Sequence, residues 1–242
     1  MKNWQWSLLL FAIMFTIMRT TDMPFIVFLF VFAPLFLIIM TYASFMYSFR
    51  DSIALERVPA KGCESRVASL EKEADDVRTL GFTKTDAFYI KSIPDSITYV
   101  LKHESLPVYM HLYNFGSKKA HIFMTFFEGG VELTTGASVS GGMIPRPDKK
   151  LTQVFEGLPY DRLFDEHLKG VSFIKGKGRK EWNAPYDFIK KEFRKRYLEV
   201  GEHVRSFSFW PVRLVVWTIT QRGKVHRRSI EEQHKMGMVK CL

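Results

Sequence analysis

The chain has 242 residues, with 35 Lys and Arg against 25 Asp and Glu, which gives a formal net charge of +10 at pH 7. This length holds one ordinary domain and an anchor but is short for two full domains, because domains usually run to about 100–150 residues. Cys63 and Cys241 are too few for the disulfide framework of a small secreted protein, and no spacing in the chain matches a zinc site.

Apolar residues are concentrated at the start of the chain, where Arg19 and Asp22 are the only charged residues between positions 4 and 49. Segment 4–21 is just long enough to cross a bilayer, and the charge-free segment 24–47 exceeds the roughly 20 residues that a helical span requires. A cleaved signal peptide is the other interpretation of the first segment, but it lacks a small-x-small cleavage site. We therefore expect two membrane spans.

Together these segments predict a transmembrane hairpin over residues 1–49, followed by a juxtamembrane linker over residues 50–63. Two spans place both chain termini on one side of the membrane. After residue 49 the chain has 33 Lys and Arg against 24 Asp and Glu, and basic segments are retained preferentially in the cytoplasm. We expect an integral membrane protein whose N-terminus and C-terminal domain are both cytoplasmic.

Residues 64–174 are predicted to form an α+β domain. Apolar residues at helical spacing predict a helix over 64–80, and Gly81 is a natural C-cap. Between positions 87 and 156, short runs rich in β-branched and aromatic residues end at turn formers, which predicts an antiparallel meander of about five or six strands packed by helices. Alternation of apolar and polar side chains within these runs favours a sheet with one buried face and one more solvent-exposed face. The strands are AFYIKSI, ITYVLKH, VYMHLYNF, AHIFMTFFE, VELTT and LTQVFE.

The positive charge lies mainly in the last region, residues 175–242, which is predicted to be basic and helical and to pack on the domain or on the membrane surface. Residues 175–235 contain 16 basic and seven acidic side chains, against 16 and 17 in residues 50–174. An apolar stripe predicts a helix over 185–204 whose basic flanks face anionic lipid. The candidate lipid contacts are Lys190, Lys191, Arg194, Lys195 and Arg196, with Trp210 and Trp217 of the following segment.

That following segment, residues 207–219, is apolar but too short to cross a bilayer, and Arg213 stands at its middle. Its composition suits an interfacial helix with tryptophans at the headgroup level, and it suits equally a strand or helix of the soluble core. The sequence leaves this choice open, as it does the role of the Gly-, Ser- and Pro-rich loop 136–150.

Candidate catalytic residues are few. Asp161, Asp165 and His167 follow one another on a predicted short helix, where two carboxylates one turn apart are able to share a metal ion or a proton. Surface helices often carry such charges without any catalytic role, so we regard these residues as weak candidates. His103, His111 and His121 fall on three successive strands, but nothing fixes their registers, and we expect neither a metal site nor a cofactor.

The predicted function is a membrane-anchored, cytoplasmic-facing interaction or accessory module without catalytic activity. Its expected partners are the bilayer, in particular anionic inner-leaflet lipid, and another protein or a second copy of the chain. Nucleic acid is not an expected partner, because no recognisable nucleic-acid-binding motif accompanies the basic stretch. The alternative is a membrane-bound hydrolase or transferase that uses the Asp161, Asp165 and His167 cluster.

Overall fold

The computed structural model describes residues 16, 20, 34–43, 45, 55–57, 63–90, 96–115, 118–137, 144–220 and 222–242. The chain forms two compact units, Met1–Met46 and Tyr47–Leu242. Within the first unit residues 34–43 are helical, and most of the two predicted spans lies outside the described residues. In the described part of the chain, no helix combines the length and the apolar character that crossing a membrane requires. The transmembrane hairpin therefore stays a prediction.

The second unit has an α+β fold built on one sheet of seven strands, whose order in space is their order in the chain. The short first strand falls in the predicted linker and was missed, whereas the other six correspond to the predicted runs. The strands are β1 (Leu55–Arg57), β2 (Phe82–Ile90), β3 (Ser96–His103), β4 (Val108–Phe115), β5 (Lys118–Phe127), β6 (Val131–Gly136) and β7 (Lys150–Val154).

Neighbouring strands from β1 to β6 are antiparallel, as the meander predicted, but β6 and β7 are parallel. The prediction of an entirely antiparallel sheet was therefore wrong. Parallel neighbours need a crossover of about a dozen residues, and the predicted long loop supplies it between Gly136 and Lys150. A turn-rich composition does not reveal whether a long connection reverses the chain or returns it to the same end of the sheet.

In the described part of this unit, five α-helices accompany the sheet, together with 3-10 turns at Glu128–Gly130 and Arg222–Arg227. Gly81, with φ of 82°, occupies the left-handed conformation that turns the chain from the first helix into β2. The last helix begins with a capping box between Ser229 and Glu232. The helices are α1 (Glu64–Arg78), α2 (Tyr160–Gly176), α3 (Tyr186–Arg205), α4 (Trp210–Ile219) and α5 (Ile230–Lys235).

We call the sheet surface that packs against α1 and α2 the front face and the other surface the back face. Strand alternation turns Met110 and Leu112 to the front core and Tyr109 and His111 to the back. All four side chains are buried, so the prediction of one more solvent-exposed face was wrong. Part of the cover on the back face comes from the chain just before α3, where the Tyr109 hydroxyl donates to the Ala184 carbonyl at 2.7 Å.

On the front face, α2 approaches β6 and β7 closely at Gly170. A Cβ atom at this position would lie 2.9 Å from both the Leu133 Cδ2 and the Gln153 Nε2. Only glycine fits this approach without displacing a neighbour. The contact fixes the helix that carries all three candidate catalytic residues.

Candidate functional site

The buried side of α3 is held on the back face of the sheet by Arg196. Its guanidinium lies 3.0 Å from a Glu132 carboxylate oxygen and donates to the Thr134 hydroxyl at 2.7 Å. The other guanidinium nitrogen contacts the Met124 sulfur at 3.4 Å. A charged side chain that is this buried is stable only with a charged, hydrogen-bonded partner, and Glu132 supplies the charge.

Glu132 continues a chain of alternating charges across the edge of the sheet, which we call the ionic chain. Its second carboxylate oxygen accepts from the Lys150 ammonium at 3.0 Å. Lys150 in turn lies 3.3 Å from Glu199 of α3, which lies 3.4 Å from Lys195. Since β6 and β7 run parallel with Glu132 opposite Lys150, neighbouring strands place the acid and the base side by side.

Glu132 stays ionised although it is fully buried. Burial pushes the pKa of its carboxyl up, but the charges of Arg196 and Lys150 push it down further, so the pKa lies below its ordinary value. Glu132 therefore keeps its charge at neutral pH, and the ionic chain attaches α3 to the domain through charge as well as apolar packing.

The assignment of Arg196 to the lipid-facing side was wrong. Arg196 precedes Val200 and Val204 at successive intervals of four residues, and all three side chains are buried on one face of α3. Lys191 and Lys195 are exposed, and their contact with lipid stays a prediction. The side chains of Lys190 and Arg194 lie outside the described residues.

Residues 207–219 form neither a strand nor a fully buried helix. The segment contains α4, which turns Leu214 inward with 7% of its surface exposed. Its opposite face carries Val212 and Val216, which are 42% and 44% exposed. Phe209, directly before the helix, is 83% exposed. The buried side agrees with a helix of the soluble core, whereas an interfacial position of the exposed side stays a prediction.

The two tryptophans of the segment are not its most exposed side chains. Trp210 and Trp217 are both half-buried and lie about 20° apart around the helix axis, between the buried and the exposed sides. Arg213 is exposed, and its guanidinium lies 4.8 Å from the centre of the Phe207 ring. This cation is therefore held beside the exposed apolar residues.

The weak catalytic candidates do not converge. Asp161 and Asp165 are exposed on α2, and Asp165 borders an open groove between α2 and α5 that includes neither of the other two residues. His167 is buried on the opposite side of the helix, where its Nε2 lies 2.9 Å from the Thr125 hydroxyl and its Nδ1 lies 2.8 Å from the Thr135 hydroxyl. Both ring nitrogens are used inside the domain.

The His167 imidazole is neutral at physiological pH. Burial lowers its pKa from 6.5 to about 3. Gln153 donates to the Thr135 hydroxyl at 2.9 Å, so the amide, the hydroxyl and the imidazole form one buried network. Gln153 also accepts from the Ile230 backbone N–H at 2.9 Å, which joins α5 to the same network. These contacts give His167 a packing role.

The three strand histidines lie on both faces of the sheet. His103 packs on Phe82 and Phe164 at the front, and His121 packs on Tyr160 on the same face. His111 points to the back, where its Nδ1 lies 3.1 Å from the Tyr113 hydroxyl. Among the described residues, no group of three or more potential ligands is placed to hold a metal ion.

Sequence reasoning missed the ionic chain, although two signals for it were present. Glu132 interrupts a strand between Val131 and Leu133, and a carboxylate in an otherwise buried strand requires a cation. Arg196 shares its helix face with two valines. Pairing these two signals requires the strand order and the position of α3, which only the fold provides.

No family model, curated protein or solved structure matches the chain. Its function must therefore be inferred from its own residues.

Proposed function

We propose that this protein is a membrane-anchored, cytoplasmic-facing interaction module without catalytic activity. Its N-terminal segments provide the anchor, and the outer surface of α3 faces anionic lipid. The observation that carries the proposal is the division of charge on α3, where Arg196 is tied into the sheet while Lys191 and Lys195 are exposed. A basic surface held on a folded domain keeps its orientation toward a charged membrane.

The magnitude of the attraction is sufficient for a domain that is already tethered. Each lysine close to an anionic surface contributes about 1 kcal/mol. Lys191 is thus expected to shift the equilibrium between lipid-facing and free orientations about fivefold. Lys195 adds less than that, because Glu199 lies 3.4 Å from its ammonium. This attraction extends about 8 Å at physiological salt and about 3 Å at 1 M salt.

The anchor and the topology are tested first, on the full chain. Alkaline carbonate extraction should leave the protein in the membrane pellet. An exposed cysteine introduced as Lys72→Cys, in a chain with Cys63→Ser and Cys241→Ser, should react with an impermeant thiol reagent in inside-out vesicles and remain unlabelled in right-side-out vesicles. Extraction into the supernatant, or the reverse labelling pattern, contradicts the proposal.

The basic surface is tested by energy transfer from a dye on Ser208→Cys to acceptor lipid in proteoliposomes. Transfer should be higher in vesicles with anionic lipid than in neutral ones and should fall at 1 M salt. The double variant Lys191→Gln and Lys195→Gln should lose most of this difference. Equal transfer in both lipids shows that α3 does not face the membrane through its charge.

The hydrolase or transferase alternative gains no support from the geometry. It requires Asp161, Asp165 and His167 around one substrate, and the fold places the two aspartates in solvent and the histidine in the core.

A further inference from the structure

Phe209 combines two unfavourable features at the start of α4. Its φ of 54° is the only positive value at a non-glycine residue in the described part of the chain, and a left-handed backbone is strained for a bulky side chain. The aromatic ring is also the most exposed of the large apolar side chains described. Neither feature brings an evident benefit while the ring remains in water.

Phe209 belongs to a row that we call the apolar strip, formed by Phe209, Val212 and Val216. The interval of four residues places Val212 and Val216 on one side of α4, opposite the buried Leu214, and Phe209 directly precedes the helix. The Phe209 carbonyl accepts the Arg213 N–H at 3.1 Å, which joins this residue to the first turn of α4.

Positive charge borders the apolar strip. Arg213 lies beside the strip on the same exposed side, with its guanidinium over the Phe207 ring. Arg205 is the last residue of α3, the helix that also carries the exposed Lys191 and Lys195. From position 190 to 220 the sequence has seven basic and three acidic residues. An apolar strip edged by cations is complementary to the boundary between phosphate headgroups and acyl chains.

We propose that the apolar strip inserts into the headgroup and acyl boundary of an anionic bilayer, with Phe209 entering deepest and the Arg213 guanidinium at the level of the phosphates. This inference rests on the proposed function, because it requires a domain that the N-terminal segments tether to a membrane. It extends that function from charge attraction at α3 to apolar insertion at α4, and it assigns the insertion to Phe209, Val212 and Val216 instead of the two tryptophans.

The insertion is measured on the full chain in proteoliposomes of phosphatidylcholine with and without phosphatidylserine. A spin label is placed at Val216→Cys, with Met238→Cys as the matched control because Met238 is similarly exposed but lies outside the strip. The label at 216 should be reached more readily by oxygen than by a water-soluble nickel complex, most clearly with phosphatidylserine. The label at 238 should favour the nickel complex in both lipids.

Phe209→Asn separates insertion from a structural role. Asparagine adopts the left-handed conformation readily, so the unfolding midpoint should remain unchanged or rise. Loss of the ring should lower the ratio of inserted to free α4, read from the label at 216, by on the order of tenfold. A lower unfolding midpoint with unchanged insertion overturns the proposal.

The remaining outcomes are also decisive. Equal nickel accessibility at 216 and 238 shows that the strip stays in water and refutes insertion. Spin–spin broadening at 216 that disappears on dilution with unlabelled protein identifies a second copy as the occupant, which also refutes it. If the chain is extracted by carbonate, the anchor proposal alone fails, and flotation of the extracted chain with phosphatidylserine vesicles then tests the strip independently.

Discussion

Replacing Glu132 by glutamine should destabilise the domain strongly, because the substitution keeps the shape of the side chain and removes its charge. Arg196 and Lys150 are 8% and 7% exposed, and each contacts a Glu132 carboxylate oxygen at 3.0 Å. After Glu132→Gln, Arg196 keeps only neutral partners among its described contacts, and Lys150 keeps the half-exposed Glu199.

Leaving a buried charge without its partner costs about 3–5 kcal/mol. Whole domains are stable by only about 5–15 kcal/mol, so this is a large fraction of the total. In a domain of this size each kcal/mol moves the melting temperature by about 2–4 °C, which gives an expected decrease of roughly 6–20 °C. The ionic chain lies between β6, β7 and α3, so amide exchange should accelerate first in those elements.

The assay is thermal unfolding of the full chain in mild detergent, with hydrogen exchange to locate the change. Glu199→Gln is the matched control, since Glu199 belongs to the same ionic chain but is 32% exposed, and its loss should cost at most about 1 kcal/mol. Adding Lys150→Met to Glu132→Gln removes a buried cation that has lost its Glu132 partner and should recover part of the stability. Equal effects of Glu132→Gln and Glu199→Gln would refute the reasoning.

Three further substitutions test the packing around the sheet. Gly170→Ala should destabilise the domain by about 1–3 kcal/mol, because its Cβ would lie 2.9 Å from two side chains, while Gly176→Ala on the same helix, with open space around it, should be neutral or stabilising in a urea titration. His167→Gln should reduce the loss of unfolding free energy as the pH falls below 6.5. The pKa of His167 is about 3 in the folded chain and 6.5 in the unfolded chain, so the wild-type domain keeps the full contribution above pH 6.5 and loses about 2 kcal/mol of it by pH 5. An unchanged pH dependence in the variant counts against a buried neutral His167. Tyr109→Phe should cost about 1 kcal/mol by removing the hydrogen bond to Ala184, and no measurable loss means that the bond contributes nothing net.

Much of the local structure was predictable because it depends on neighbours in the sequence. Alternation over two residues marks the strands, and apolar intervals of three and four mark α1 and α3, with Gly81 ending the turn after α1 through its left-handed conformation. Strand order also followed from the short turns, which join antiparallel neighbours as far as β6. The direction of β7 did not follow, because a long connection is compatible with either direction.

The candidate surfaces depended on contacts between distant parts of the chain. In the sequence Arg196 is one member of a basic cluster, and its burial is decided by Glu132, which arrives from β6. In the sequence His167 resembles a catalytic base beside two aspartates. In the fold it is enclosed by Thr125 and Thr135, which come from different strands. The sequence by itself determined that residues 207–219 are apolar and too short to cross a bilayer. Only the tertiary structure decided which side of α4 is exposed, because the domain covers Leu214 and leaves Phe209 in solvent.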